Sequence, residues 1–226
     1  PTKTKRISSR DVLRSLRTAE RTVFRSEMNL YTQEGWLNIP EIRSLKCWLN
    51  VIVGPRQVGK TYGVLKDLLQ RDEKFLFMRR TQEELDAIAA NPELNPFLAL
   101  SQEGYHVDLE RRGKTYLIGD AETDEKGKIM IEHGRGTALS LSYISSVRGF
   151  NGRQYSDLIL DEFIPERLVV MRKGTGDAFL NAYTTCNGNR ELDGKPSLTA
   201  WLLANANRID SPILEYLMCS FRLLVA

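Results

Sequence analysis

Trp48-Leu49-Asn50-Val51-Ile52-Val53-Gly54-Pro55-Arg56-Gln57-Val58-Gly59-Lys60-Thr61-Tyr62-Gly63-Val64-Leu65 is the stretch from which the rest of the chain is read. Leu49 to Val53 is an apolar, β-branched run with the character of a buried strand. It breaks at Gly54, loops through Pro55, Arg56, Gln57 and Val58, and resumes as a helix from Gly59. Gly54, Gly59, Lys60 and Thr61 fit G-x-x-x-x-G-K-[ST], the phosphate-binding loop. The spacing has a chemical reason. Consecutive backbone N–H groups at a helix N-terminus surround a polyphosphate, and glycine lets the backbone come close. Lys60 supplies a point charge for the β- and γ-phosphates, and the Thr61 hydroxyl is a hard oxygen ligand for Mg²⁺.

About a hundred residues later comes Asp157-Leu158-Ile159-Leu160-Asp161-Glu162-Phe163. Three apolar residues lead to Asp161 at the end of a strand, the Walker B arrangement. Asp161 is expected to hold Mg²⁺ through its water shell, and Glu162 to polarise the attacking water beyond the γ-phosphate. The adjacent glutamate narrows the class. A small-molecule kinase needs no water-activating base, and the pairing of D-x-x-G with N-K-x-D that marks GTPases is not found, since the sequence has no N-K-x-D. The expectation is an ATP-hydrolysing mechanical NTPase of the additional-strand, catalytic-glutamate division. Its fold class is α/β: a P-loop domain with a mostly parallel sheet, helices on both faces and an antiparallel insertion.

Composition sets bounds. The chain has 226 residues, 42% of them hydrophobic, enough for one substantial core. No apolar run approaches the ~20 residues of a membrane span, and no signal peptide is read ahead of the first helix. Cys47, Cys186 and Cys219 show no paired spacing, so free thiols in a reducing cytosol are expected. His106 and His133 have no ligand-like neighbours, which argues against a structural zinc site. The net charge is +3, yet residues 1–25 alone hold eight Lys/Arg and two acids. A slightly acidic domain from about residue 41 therefore carries a basic arm over residues 1–40.

Within that arm, Ser8-Ser9-Arg10-Asp11 resembles a capping box, and a helix is predicted to about Tyr31. Val12, Leu16, Ala19 and Val23 share one face, with Arg10, Arg14, Arg17, Arg21 and Arg25 opposite. That stripe is either a phosphate or partner contact or an ordinary solvated face. Downstream of the phosphate loop, a helix to about Arg71 leads into a second strand, Phe75 to Met78, ending in Arg79-Arg80. Thr81 caps the next helix, with Glu84 in the box position. Arginines at the C-terminal end of a strand in an open α/β sheet sit where ligands bind, or simply begin a wet loop. Asn91 to Ser101 reads as a linker. Tyr105–Glu110 and Thr115–Ile118, then Lys128–Glu132 and Thr137–Leu141, read as an antiparallel meander inserted over about residues 104–143. Its basic turn, Arg111-Arg112-Gly113-Lys114, is read as solvated in preference to DNA-binding.

These residues carry a resemblance. Arg56-Gln57 inside the phosphate loop, and Ser145-Ser146-Val147-Arg148-Gly149 ahead of the acidic strand, are similar to viral terminase large subunits. Four segments together more closely resemble the phi29-like DNA-packaging ATPases: Leu49–Gly54, Phe75–Arg80, Leu160–Ile164 and Leu203–Ala206. The similarity runs from about Trp48 to Tyr216. It implies that Pro55, Gln57 and Val58 line the phosphate site with the motif residues, and that Arg56 contacts the γ-phosphate in cis. It implies that Asn205, ending strand Leu198–Leu203, senses hydrolysis; otherwise it is a polar strand-end cap. Arg190, in the turn after a predicted helix Asp177–Cys186, falls near the family's arginine cluster and is the candidate trans-acting finger. Arg172 competes for that role, and a solvated turn residue is the plain alternative.

The resemblance further implies ATP and Mg²⁺ as cofactors and double-stranded DNA as substrate, gripped through its phosphates. A homo-oligomeric ring, a pentamer by resemblance, would dock on the portal of a procapsid in the host cytoplasm, with a packaging RNA as a further partner and no membrane. The family's nuclease-like domain is not found in this sequence, and no acidic cluster suited to two-metal cleavage is present. A helicase-like or recombination ATPase would call for a second lobe or stacking aromatics for single strands. A nucleotide-gated module without turnover would not need Glu162.

Overall fold

A computed structural model of the chain describes residues 29–125, 127, 129–144, 146, 150–165, 174–205 and 211–218. The expected N-terminal helix with its arginine stripe, Arg172, and all but Ser146 of the 145–149 stretch lie outside them. The elements run α1 (Ile39–Ser44), β1 (Leu49–Gly54), α2 (Lys60–Gln70), β2 (Phe75–Arg79) and α3 (Gln82–Ala90). Then follow β3 (Val107–Arg112), β4 (Thr115–Thr123), β5 (Ile129–Ser140), α4 (Leu141–Ile144), β6 (Asp157–Asp161), α5 (Thr175–Asn187), β7 (Thr199–Asn205) and α6 (Pro212–Met218). They build a seven-stranded sheet in the order β1-β7-β6-β2-β5-β4-β3. From β1 to β5 the pairings are parallel; β3 and β4 are antiparallel.

Strand alternation divides the core. On β2, Phe75 and Phe77 face one side with Ile159, Trp201, Leu203 and the helix residues Val64, Leu65 and Leu68. Leu76 and Met78 face the other, with Leu158, Leu160, Leu202 and Phe179, Ile213 and Leu214 from α5 and α6. All five residues of β2 are buried, as expected for a strand covered by helices on both faces. At the N-terminal end of the sheet Arg43 from α1 bridges Asp67 of α2 (2.6 Å) and Asp157 of β6 (2.9 Å). The Trp201 indole N–H also donates to Asp157, at 2.7 Å. This buried network locks α1 and α2 to the strands at the end of the sheet opposite Gly54.

Two expectations are corrected. The segment from Asn91 to Ser101 is not an open linker; it coils through short helical turns at Pro92–Leu94 and Leu98–Leu100, burying Phe97 and Leu100 completely. The second hairpin predicted around His133-Gly134-Arg135-Gly136 is instead one strand, β5. Its glycines permit close approach rather than a turn: a Cβ on Gly136 would lie 2.6 Å from the Phe75 carbonyl oxygen. β5 pairs antiparallel with β4 along its first part and parallel with β2 from Gly136 to Ser140.

Candidate active site

The sheet places β7 between β1 and β6, so the ends of four parallel strands fall in a row: Gly54, Asn205, Asp161 and Arg79. Gly54 is in register with Asn205, and Asp161 with Leu203. This is the rim of an open α/β sheet where ligands are bound. The loop from Gly54 closes onto α2 at Gly59, which caps the helix with φ +78, a left-handed conformation suited to glycine.

Lys60 opens α2 and folds back under the loop. Its ammonium donates to the carbonyls of Gly54 (3.1 Å) and Pro55 (2.5 Å) and to Asn205 Oδ1 (3.2 Å). Burial pushes its pKa down, against the pull of Asp161 and Glu162, and the Arg56 charge pushes it further down. The Thr61 hydroxyl donates to Asp161 Oδ1 at 2.7 Å. Thr61 and Asp161 thus present two adjacent hard oxygens. Among the described residues no group of three or more His, Cys, Asp or Glu could hold a metal. Two protein oxygens suit Mg²⁺, which keeps waters and takes phosphate oxygens, better than a metal needing a full protein cage.

Asp161 is buried, and its desolvation raises the carboxyl pKa, opposed chiefly by Arg79. Arg79 places NH2 3.1 Å from Asp161 Oδ2 and NH1 2.7 Å from Glu162 Oε2. Glu162 is exposed and has φ +49, so the chain turns sharply just where the acidic pair ends. Arg80 points away and pairs with Glu84, whose carboxylate also completes the Thr81 capping box. The two strand-end arginines therefore divide: one enters the site and the other fixes the start of α3.

Pro55, Arg56 and Gln57 are exposed on the loop, and Val58 is half-buried. Gln57 has φ +66. Asn205 lies between the loop strand and the acid strand, with its amide oxygen on Lys60. Arg190 is not in this cluster. It begins a short helical turn, Arg190–Asp193, and is buried, with NH1 donating to the Tyr155 carbonyl at 2.5 Å. The plain alternative of a solvated turn residue does not hold for its side chain: the arginine folds inward to tie the segment before β6. Trp36, which no sequence motif marks, lies against the phosphate loop; an aromatic after a glycine is too common in sequence to single out.

The seven-stranded, mostly parallel sheet with its helices matches the mixed α/β fold of solved phage packaging ATPases. The N-terminal domain of the DNA packaging ATPase from bacteriophage phi29 superposes with TM-score 0.59, covering 83% of this chain and 88% of that one at 24% identity. The Phi-28 DNA packaging motor gives 0.56, covering 85% of this chain and 55% of that one at 20% identity. In sequence, the chain is homologous to the DNA packaging protein of Bacillus phage B103, 28% identical over 178 residues. That match covers 74% of this chain and 47% of the relative, so the chain spans about half the length of the curated relative it matches. No protein-family model matches the chain.

Proposed function

We propose that this chain is the ATP-hydrolysing domain of a motor that moves double-stranded viral DNA into a procapsid. The observation that supports this most is the convergence of Lys60, Thr61, Asp161, Glu162 and Asn205 on one sheet rim, in a chain related to a phage DNA packaging protein.

In this reading the unit from about residue 41 to 226 is catalytic. Backbone N–H groups from Gly54 to Thr61, over Pro55, Arg56, Gln57 and Val58, cradle the phosphates, and Lys60 leaves its carbonyl partners to meet the β- and γ-phosphates. Thr61 and Asp161 hold Mg²⁺, which when bound neutralises charge on the phosphates. Arg56 contacts the γ-phosphate from its own loop. Glu162 orients and deprotonates water. Asn205, hydrogen-bonded to Lys60 through β7, registers the change when the γ-phosphate leaves. Subunits form a homo-oligomeric ring of five on the portal, in the host cytoplasm, with packaging RNA a further partner. No described helix is long and apolar enough to cross a membrane. Arg190 acts as the trans finger only by leaving its bond to the Tyr155 carbonyl, and Arg172 competes for that role. The competing reading is a helicase-type or recombination ATPase acting on nucleic acid.

The test is phosphate release with and without double-stranded DNA, alongside single-stranded DNA. Packaging function expects stimulation by the duplex; stimulation by single strands alone would favour the competing reading. Glu162→Gln should bind ATP with Mg²⁺ yet hydrolyse roughly 10²–10⁴-fold more slowly. Hydrolysis at the wild-type rate would overturn the assignment of the base.

A further inference from the structure

Trp36 is 48% exposed, unusual for so large an apolar side chain, and it is not loosely held. The turn that carries it is closed by Thr32 N–H to the Trp36 carbonyl (2.7 Å) and Gly35 N–H to the Thr32 carbonyl (3.0 Å). A bridge between Tyr31 and Leu37 flanks it. The turn is joined to the phosphate loop by Leu37 N–H donating to the Val58 carbonyl, at 3.1 Å. The indole itself rests on Gly59: a Cβ there would lie 2.9 Å from Trp36 Cε3. Tyr62 stands beside it, with ring centroids 6.4 Å apart and planes tilted by 45°. On α2, Tyr62 follows Thr61 by one residue, about 100° around the helix. Since Thr61 bonds Asp161, the aromatic pair occupies a different flank of the loop from the acids.

We propose that Trp36 is the shelf on which the base of a bound nucleoside di- or triphosphate stacks, and that it takes purines as a class. The inference rests on the phosphate-site reading above. A nucleotide whose phosphates lie in the loop extends its nucleoside away from the water-activating end, and the flank at Gly59 offers a large π-face held in place by backbone bonds. Base–aromatic stacking contributes about 1–3 kcal/mol per base and tolerates any base, because each has a π-face. Among the described residues, two polar side chains close to the shelf, Asn38 by sequence and Tyr62 by ring contact, are committed elsewhere. The Asn38 amide accepts from Glu41 N–H (3.3 Å) and donates to the Asn29 carbonyl (3.1 Å). The Tyr62 hydroxyl is bonded to Glu103 and to Lys66. Selection at Trp36 is therefore by stacking area, larger for a purine than a pyrimidine, rather than by the pattern of the base edge.

The experiment measures direct binding of ADP, GDP, CDP and inorganic pyrophosphate by calorimetry, without turnover. Wild-type protein should bind ADP and GDP within about threefold of each other and CDP more weakly. Trp36→Ala should weaken ADP and GDP by about 10-fold or more, in line with the loss of one stacked base, and leave pyrophosphate unchanged. Trp36→Phe should recover most of the loss. Unchanged ADP affinity in Trp36→Ala would overturn the shelf. An equal loss for pyrophosphate would also overturn it, showing that the indole only props the loop. A strong preference for ADP over GDP would overturn selection by stacking. Lys60→Ala separates the two readings: pyrophosphate binding that survives it refutes the phosphate site, whatever Trp36 does.

Discussion

Arg79, the last residue of β2, holds Glu162, the first residue beyond β6, at 2.7 Å, and through its second terminal nitrogen holds Asp161. One guanidinium thus spans the carboxylate assigned to the metal and the carboxylate assigned to water. Its Nε is buried without a hydrogen-bond partner among the described residues, so the ion pairs it makes there are those to the two acids. Arg79→Gln should lower kcat by about 10- to 10²-fold, part of what a positioned base contributes, with a smaller change in KM. If Arg79 acts through Glu162, the same substitution in a Glu162→Gln background should lower kcat little further, because residues acting as one unit are not additive. Full multiplicative loss in the double variant would assign Arg79 a separate role.

Asp161 gives a stability prediction of opposite sign to its catalytic one. Burial raises its carboxyl pKa above the ordinary aspartate value, even against Arg79. A raised folded pKa means that its contribution to stability is fully present below the unfolded value and is lost as pH rises through the folded one. Asp161→Asn removes that loss. In metal-free buffer at neutral pH the variant should melt at or above the wild-type temperature, while losing Mg²⁺-dependent hydrolysis. The wild-type advantage should return only toward acid pH. A clear drop in melting temperature at neutral pH would mean that pairing with Arg79 outweighs desolvation.

Arg190 is predicted to matter for folding before it matters for chemistry. Losing its bond leaves the buried Tyr155 carbonyl without that donor, which costs about 1–3 kcal/mol. Arg190→Ala should lower the denaturation midpoint accordingly. Subunits with Arg190→Ala mixed with subunits carrying Lys60→Ala should show no recovery of ATPase under ring-forming conditions. Recovery, with unchanged stability, would restore the arginine to a role in trans.

Arg43 is the corresponding test at the other end of the sheet. Removing one partner of a buried ion pair costs about 3–5 kcal/mol, because the remaining charge is stranded. Arg43→Met should therefore unfold the protein at markedly lower denaturant and leave Asp157, 1% exposed, without its cation. Adding Asp157→Asn should recover part of the loss, since the amide keeps an acceptor for the Trp201 indole. A double variant no more stable than Arg43→Met would place the loss in packing against Trp201 rather than in charge.

Much of this arrangement is legible in the sequence, for local reasons. The phosphate loop and the acidic strand each depend on a few consecutive residues, so Lys60, Thr61 and Asp161 could be placed before any fold was known. The Thr81–Glu84 capping box is equally local, and it forms. What was not legible depends on partners distant in sequence. Whether Arg79 or Arg80 enters the site is decided by β6 lying beside β2, and Arg190 turns inward because Tyr155 offers a carbonyl thirty-five residues earlier. Gly134 and Gly136 were misread as a turn because glycine that permits close contact and glycine that permits reversal look alike in one dimension. Trp36 was passed over because exposure is a tertiary property.

The single strand β5 changes what the antiparallel ribbon can do. Had two hairpins met at a turn over residues 133–136, the ribbon would hang from a joint and its outer end, where Thr123 pairs with Ile129, would wander independently. Instead β5 belongs to both halves of the sheet. At about 3.3 Å per residue its twelve residues form a beam of roughly 40 Å. The only softening along β4 is at the register shifts near Gly119 and Asp120. A tilt of the strands beside Arg79 is thus handed along β5 to its far end, where Ile129 pairs with Thr123, as a rotation through the same angle, so a small angular change at the rim becomes a sweep of several ångströms there.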